Sequence, residues 1–239
     1  MHHEILVYQA DGLSMHSHLY RKDAVTGTSP GILVFPEAPG LSENAKKRAE
    51  RLAELGYVAL ACDLHGEGHL LDGMESVMST VGALMAEPLR VRARAQGGMD
   101  ALLAQPGVDP ARIAAIGYCF GGTMSLELAR SGAEIRAAIG FHSGLTTNLP
   151  DDARNIKGKV LVCIGADDPG VDAAQRTGFE TEMRDGGVDW QMHLYGGVVH
   201  SFTNPDADKM GMPHFLRYDA NADTRSWAAM RALFDEVFA

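Results

Sequence analysis

Three cysteines in 239 residues, an odd count with no C-x-x-C pair, leave no basis for a disulfide framework. Such usage fits a reducing compartment, and the cytoplasm is the expected location. Basic residues are in the minority, with 21 Lys and Arg against 31 Asp and Glu. A net charge of −10 opposes binding to phosphate backbones or anionic lipid, which need a concentrated cationic surface. Nucleic acid and membrane are therefore not expected partners. No apolar run approaches the roughly 20 residues that span a bilayer, and Met1-His2-His3-Glu4-Ile5 lacks the regions of a secretory signal. The sequence also lacks a G-x-S-x-G elbow, a P-loop, a dinucleotide fingerprint, repeats and low-complexity tracts. No cofactor is expected.

What remains is an ordinary globular composition, 46% apolar and 22% charged, with no linker at which to divide it. One domain over residues 1–239 is expected, as a monomer or small homo-oligomer. Short apolar runs recur at 31–35, 57–62, 112–116, 135–141 and 160–164, as in parallel strands buried on both faces. Stretches at 42–55, 89–103, 121–130 and 171–184 are long enough for crossover helices. Ser42 suits the start of the first of these. Asn221 is expected to cap a last helix whose Trp227, Met230, Phe234 and Val237 recur at helical spacing. Asp11-Gly12 between 4–9 and 14–20 predicts an antiparallel N-terminal hairpin. The long connections 66–88 and 201–221 are expected near the site.

One motif carries chemistry. In Gly117-Tyr118-Cys119-Phe120-Gly121-Gly122 a cysteine follows an apolar strand, with glycine two residues away on either side. A nucleophile elbow needs that spacing because small residues must crowd its tight turn, and free amides at the next helix start favour a thiolate. A cysteine packed at a strand end gives the same pattern. Chain order favours the elbow, because the fold places nucleophile, acid and histidine at the ends of successive later strands. Asp167 and Asp168 follow the run 160–164, and His200 follows 189–195. His200 is then the proton carrier and one of the two aspartates fixes its tautomer. The run 31–35 delivers Glu37 and Ala38; the amides of Ala38 and Phe120 are the expected oxyanion hole. A Glu37 carboxylate close to Cys119 would oppose thiolate formation, or take the thiol proton.

Together the Glu37 loop, GYCFGG, the G-x-x-D of residues 165–168 and the H-S-F of 200–202 resemble the dienelactone hydrolase family. The resemblance implies an α/β-hydrolase fold, with a mostly parallel central sheet, helices on both faces and the N-terminal hairpin. It also implies hydrolysis of a small carboxylic ester or lactone through a thioester, without cofactor. It selects Asp168 over Asp167, gives a Cys119-His200-Asp168 triad, and makes Glu37 the group that activates the thiol when substrate binds. One departure stands out: where the family's best-known members carry a carboxylate-binding arginine a few residues past the histidine, this chain has Thr203 and Asn204.

A second such arginine is expected near 89–94, where Arg90 and Arg94 share a helix face. His65, His142 and Phe202 are expected to line the same cleft. Asp63-Leu64-His65-Gly66-Glu67-Gly68-His69 reads as pocket wall rather than a metal cage, because a glycine-rich loop is poorly preorganised. The same residues admit acyl transfer or thioester or amide hydrolysis, and a cleft that binds without turnover.

Overall fold

The Asp11-Gly12 turn joins β1 (His2–Ala10) to β2 (Leu13–Arg21) in an unbroken antiparallel register, His2 opposite Arg21 through Ala10 opposite Leu13. Asp11 at φ 51° and Gly12 at φ 73° are the two left-handed residues such a two-residue turn requires. This is a computed structural model that describes residues 1–23 and 27–239.

The remaining strands are β3 (Ser29–Phe35), β4 (Val58–Ala61), β5 (Val108–Tyr118), β6 (Ala137–Phe141), β7 (Lys159–Gly165) and β8 (Trp190–Tyr195). They form one eight-stranded sheet in the order β1-β2-β4-β3-β5-β6-β7-β8. From β4 to β8 every neighbouring pair is parallel, and β2 runs against both of its neighbours. The near-continuous apolar runs are explained by burial on both faces. Along β3, Ile32 and Val34 join one core while Leu33 and Phe35 join the other. α1 (Glu43–Glu54) and α6 (Ala220–Val237) cover the first face with Leu52, Trp227, Met230 and Phe234. α2 (Met74–Ala86), α3 (Pro88–Leu103), α4 (Phe120–Arg130) and α5 (Ala173–Asp185) cover the second, with Val91, Leu102, Leu126 and Phe179.

One helix start differs from expectation, and another stands where expected without its side-chain bond. Asp219, not Asn221, caps α6 by accepting the amide of Ala222 at 2.8 Å, so the helix begins one residue earlier than Asn221. Ser42 occupies the cap of α1 without a side-chain cap bond. The connection 66–88 contains α2, which the sequence reading leaves as a loop.

α4 is fastened by buried charge. Arg130, with no exposed side chain, donates to Glu127 at 3.0 Å and to Glu182 of α5 at 2.7 Å; Arg92 of α3 donates to Glu127 at 2.8 Å. No helix among the described residues is long and apolar enough to cross a membrane.

Candidate active site

β5 ends at Tyr118 and α4 begins at Phe120, leaving Cys119 alone in the turn at φ 54°, ψ −121°. A non-glycine residue there stores roughly 1–3 kcal/mol of backbone strain, which the surroundings must hold in place. The glycines show how. A Cβ on Gly117 would lie 2.0 Å from the Gly121 carbonyl oxygen, and one on Gly121 would lie 2.3 Å from the oxygens of both Phe35 and Pro36. The turn therefore closes on itself and packs against the loop after β3. Cys119 N–H donates to Phe141 O at 3.0 Å, fixing the turn to β6.

Cys119 is half-buried, whereas Cys62 and Cys163 are fully enclosed in the two cores. Burial pushes both of those thiols up, away from the reactive thiolate.

At the end of β7, Asp168 is buried and Asp167 is exposed, with its amide bonded to Val198 O. His200 Nδ1–H donates to Asp168 Oδ2 at 2.7 Å, and Gly170 N–H donates to Asp168 Oδ1 at 2.8 Å. Burial alone would lower the basicity of the imidazole, but Cys119 and Asp168 outweigh it and hold His200 above its usual range. The imidazole and carboxylate thus form one hydrogen-bonded pair, and the Cys119 thiol acts on the same imidazole electrostatically.

The loop after β3 brings Ala38 beside the elbow. The N–H groups of Ala38 and Phe120 donate to no protein acceptor among the described residues. His65 Nε2–H donates to the Ala38 carbonyl at 2.9 Å, so this side chain holds the loop instead of facing a substrate. Asp63 organises the segment beneath it, accepting backbone amides from His16, His65, Gly66 and Gly68 at 2.8–3.2 Å.

Glu37 is buried, and both of its carboxylate oxygens accept from Asn204 Nδ2 at 3.0 Å. Burial raises its pKa, against the Asn204 bonds and the positive charges of His200 and Arg48. No hydrogen bond between Glu37 and Cys119 occurs among the described residues, although the sequence reading expects the two to be close. Arg48 of α1 donates to the Thr203 carbonyl and to Asp223 of α6, and its guanidinium lies over the Tyr118 and Trp227 rings.

Four expectations are corrected. Arg90 and Arg94 do share a face, but both guanidiniums pair with Asp11, at 3.0 and 2.9 Å, and Arg94 also holds the Leu64 carbonyl. The hairpin turn has taken the arginines expected for a substrate carboxylate. His142 is fully buried, with Nε2 bonded to Thr203 Oγ1 at 2.8 Å and its ring edge-on to His200. Phe202 is also fully buried, between His142 and Tyr195. Neither offers surface to a ligand; both pack behind the site. Asn204 and Arg48 were not legible as site residues, because their partners lie more than a hundred residues away.

Strands in this order, with a strained cysteine after β5 and a carboxylate and imidazole delivered by the turns after β7 and β8, are the architecture of an α/β-hydrolase. Comparison with known proteins narrows the class. The model of the dienelactone hydrolase family matches residues 15–238, and the chain belongs to that family, whose class of reaction is hydrolysis of an ester or lactone. A solved structure named m3DLH is 48% identical with a TM-score of 0.96, covering 100% of this chain and 99% of that one. A dienelactone hydrolase-like promiscuous phosphotriesterase from metagenomic libraries is 44% identical with a TM-score of 0.94, covering 99% and 98%. A probable 2-oxo-3-(5-oxofuran-2-ylidene)propanoate lactonase of Bradyrhizobium sp. is 27% identical over 201 residues, 80% of each chain.

Proposed function

We propose that the chain, acting as one domain, hydrolyses small carboxylic esters or lactones through a thioester at Cys119. The observation that carries this reading is the half-buried thiol on a strained turn, together with the buried, hydrogen-bonded His200–Asp168 pair. His200 Nε2 takes the Sγ proton, and the thiolate attacks the carbonyl carbon. The oxyanion so formed accepts the amides of Ala38 and Phe120. Collapse breaks the C–O bond, and the His200 imidazolium protonates the departing alkoxide. Water, deprotonated by His200, then hydrolyses the thioester to release the acid and regenerate the thiol. Asp168 holds the Nδ1 tautomer throughout. Glu37 is assigned the activation of the thiol: a substrate that displaces Asn204 frees a buried carboxyl group to accept the Sγ proton first and pass it to His200 Nε2, so that the one proton still reaches the departing alkoxide. With Arg90 and Arg94 engaged by Asp11, the favoured substrates lack a carboxylate that must be held by arginine.

The test is steady-state hydrolysis of an activated acetate ester and a small lactone, with mass analysis of the acylated protein. Cys119→Ala is expected to lower kcat/KM by about 10³-fold or more, and the native protein to carry the acyl group on Cys119 after rapid quench. Near-native turnover by Cys119→Ala would overturn the reading. The 44% identity to a promiscuous phosphotriesterase favours a second reading, attack by the same thiolate at phosphorus. A dialkyl aryl phosphate in the same panel tests it.

A further inference from the structure

We propose that Phe215 is a positioning residue that holds the orientation of the His200 ring and shields the His200–Asp168 bond from water; this rests on His200 being the proton carrier. The Phe215 ring stacks on the imidazole, with centroids 5.5 Å apart and planes 30° apart. His142 packs edge-on to the same imidazole at 5.0 Å and 65°, and Nδ1 is tied to Asp168. His142 and Asp168 belong to the buried interior, whereas Phe215 is only half-buried.

The backbone carrying Phe215 is built onto that of His200. Leu216 pairs with His200 as a parallel bridge, Arg217 N–H donates to His200 O at 3.2 Å, and Asp219 N–H donates to Phe202 O at 3.1 Å. Phe215 and Leu216 N–H both donate to Met212 O, at 2.9 and 2.7 Å, which tightens the strap at the ring itself. The ring and the imidazole are therefore held in register by main chain.

Gly170 locates what the ring covers. A Cβ placed on it would lie 3.2 Å from Asp168 Oδ1, 3.6 Å from Phe215 Cε2 and 3.9 Å from His200 Nδ1. One point thus touches the carboxylate, the imidazole nitrogen and the edge of the ring. With hydrogen at position 170, that side of the bond is closed by Phe215. An aromatic face also suits the imidazolium formed in each half-reaction, because the ring quadrupole attracts a cation. A residue that merely filled volume would be better placed in the core than half-exposed on a strap.

The experiment compares native protein, Phe215→Leu, Phe215→Tyr and His200→Ala by ester hydrolysis, thermal unfolding and proton NMR of the His200 Nδ1 proton. Phe215→Leu keeps bulk and removes the aromatic face. It is expected to lower kcat about tenfold with KM changed less than about twofold, and to broaden the Nδ1 resonance by exchange with water. Phe215→Tyr is expected to restore both. A Phe215→Leu protein with native kcat and a sharp resonance overturns the proposal, as does a loss of rate that only follows the loss of folded protein. The His200→Ala control separates the two levels: if it retains native turnover the proton-carrier reading fails, and if it is inactive while Phe215→Leu is native, only the role of Phe215 fails.

Discussion

Burying the Glu37 carboxyl costs the fold stability, because desolvation disfavours its charged form. It is enclosed, its two oxygens are met by a neutral amide, and no cation touches it directly. Its folded pKa lies above its ordinary value of 4.5 because burial outweighs Asn204, His200 and Arg48. The sign follows from linkage: a raised carboxyl favours the folded state when protonated, and that contribution is lost as pH rises from 4.5 through the folded value. Above that window the burial of this carboxyl lowers stability relative to a neutral side chain. Glu37→Gln is expected to raise Tm by about 2–4 °C at pH 7–8, to leave it unchanged near pH 4, and to lower esterase activity. Thermal scans across that pH range check it, and a lower Tm at pH 8 would count against a destabilising carboxylate.

At the scale of elements, α4 has two ends with different duties. Its first turn presents the elbow, and its last residue, Arg130, is clamped between Glu127 and Glu182. Ten residues of helix separate them by roughly 15 Å, so the clamp and the elbow are spatially independent. Arg130→Met leaves Glu182 buried without its cation, and is expected to cost about 3–5 kcal/mol in denaturant unfolding, with kcat/KM unchanged below the transition. A matching fall in kcat/KM would place the clamp in the catalytic machinery.

Elements also differ in how readable they are. The hairpin follows from Asp11-Gly12, and the buried strands from their apolar runs. β5 starts at Val108, earlier than the run at 112–116, because its polar opening Val108-Asp109 pairs with Ser29 and Pro30 before the register shifts. α2 escapes the pattern because only Val77 and Leu84 of its 13 residues are buried. Chain order pointed to Cys119, His200 and one of Asp167 and Asp168, since each follows its own strand, and the family resemblance selected Asp168. The pairing of Arg90 and Arg94 with Asp11 was not legible because Asp11 lies on a hairpin about 80 positions earlier. Sequence shows which residue types are available, and only the fold shows which have already found partners.

The molecule as a whole is acidic, with a net charge of −10. An anionic ester approaches against that field, and the arginines that might have drawn it in are paired with Asp11. For an ester bearing a carboxylate, kcat/KM is expected to rise about twofold or more between roughly 20 mM and 0.5 M salt; a neutral ester should show little change. Initial rates on a matched pair of esters decide this. Equal salt dependence for both would mean that the field does not reach the cleft.

Arg48 ties the carbonyl of Thr203 to Asp223 and so joins an early helix to the loop after His200 and to the last helix. Glu37, Cys119, His200 and Asp223 come from the beginning, middle and end of the chain. During synthesis the thiol of Cys119 therefore leaves the ribosome before the imidazole proposed to take its proton and before Asp223, which pairs with Arg48. A nascent chain that has not yet reached His200 holds Cys119 without the imidazole proposed to activate it.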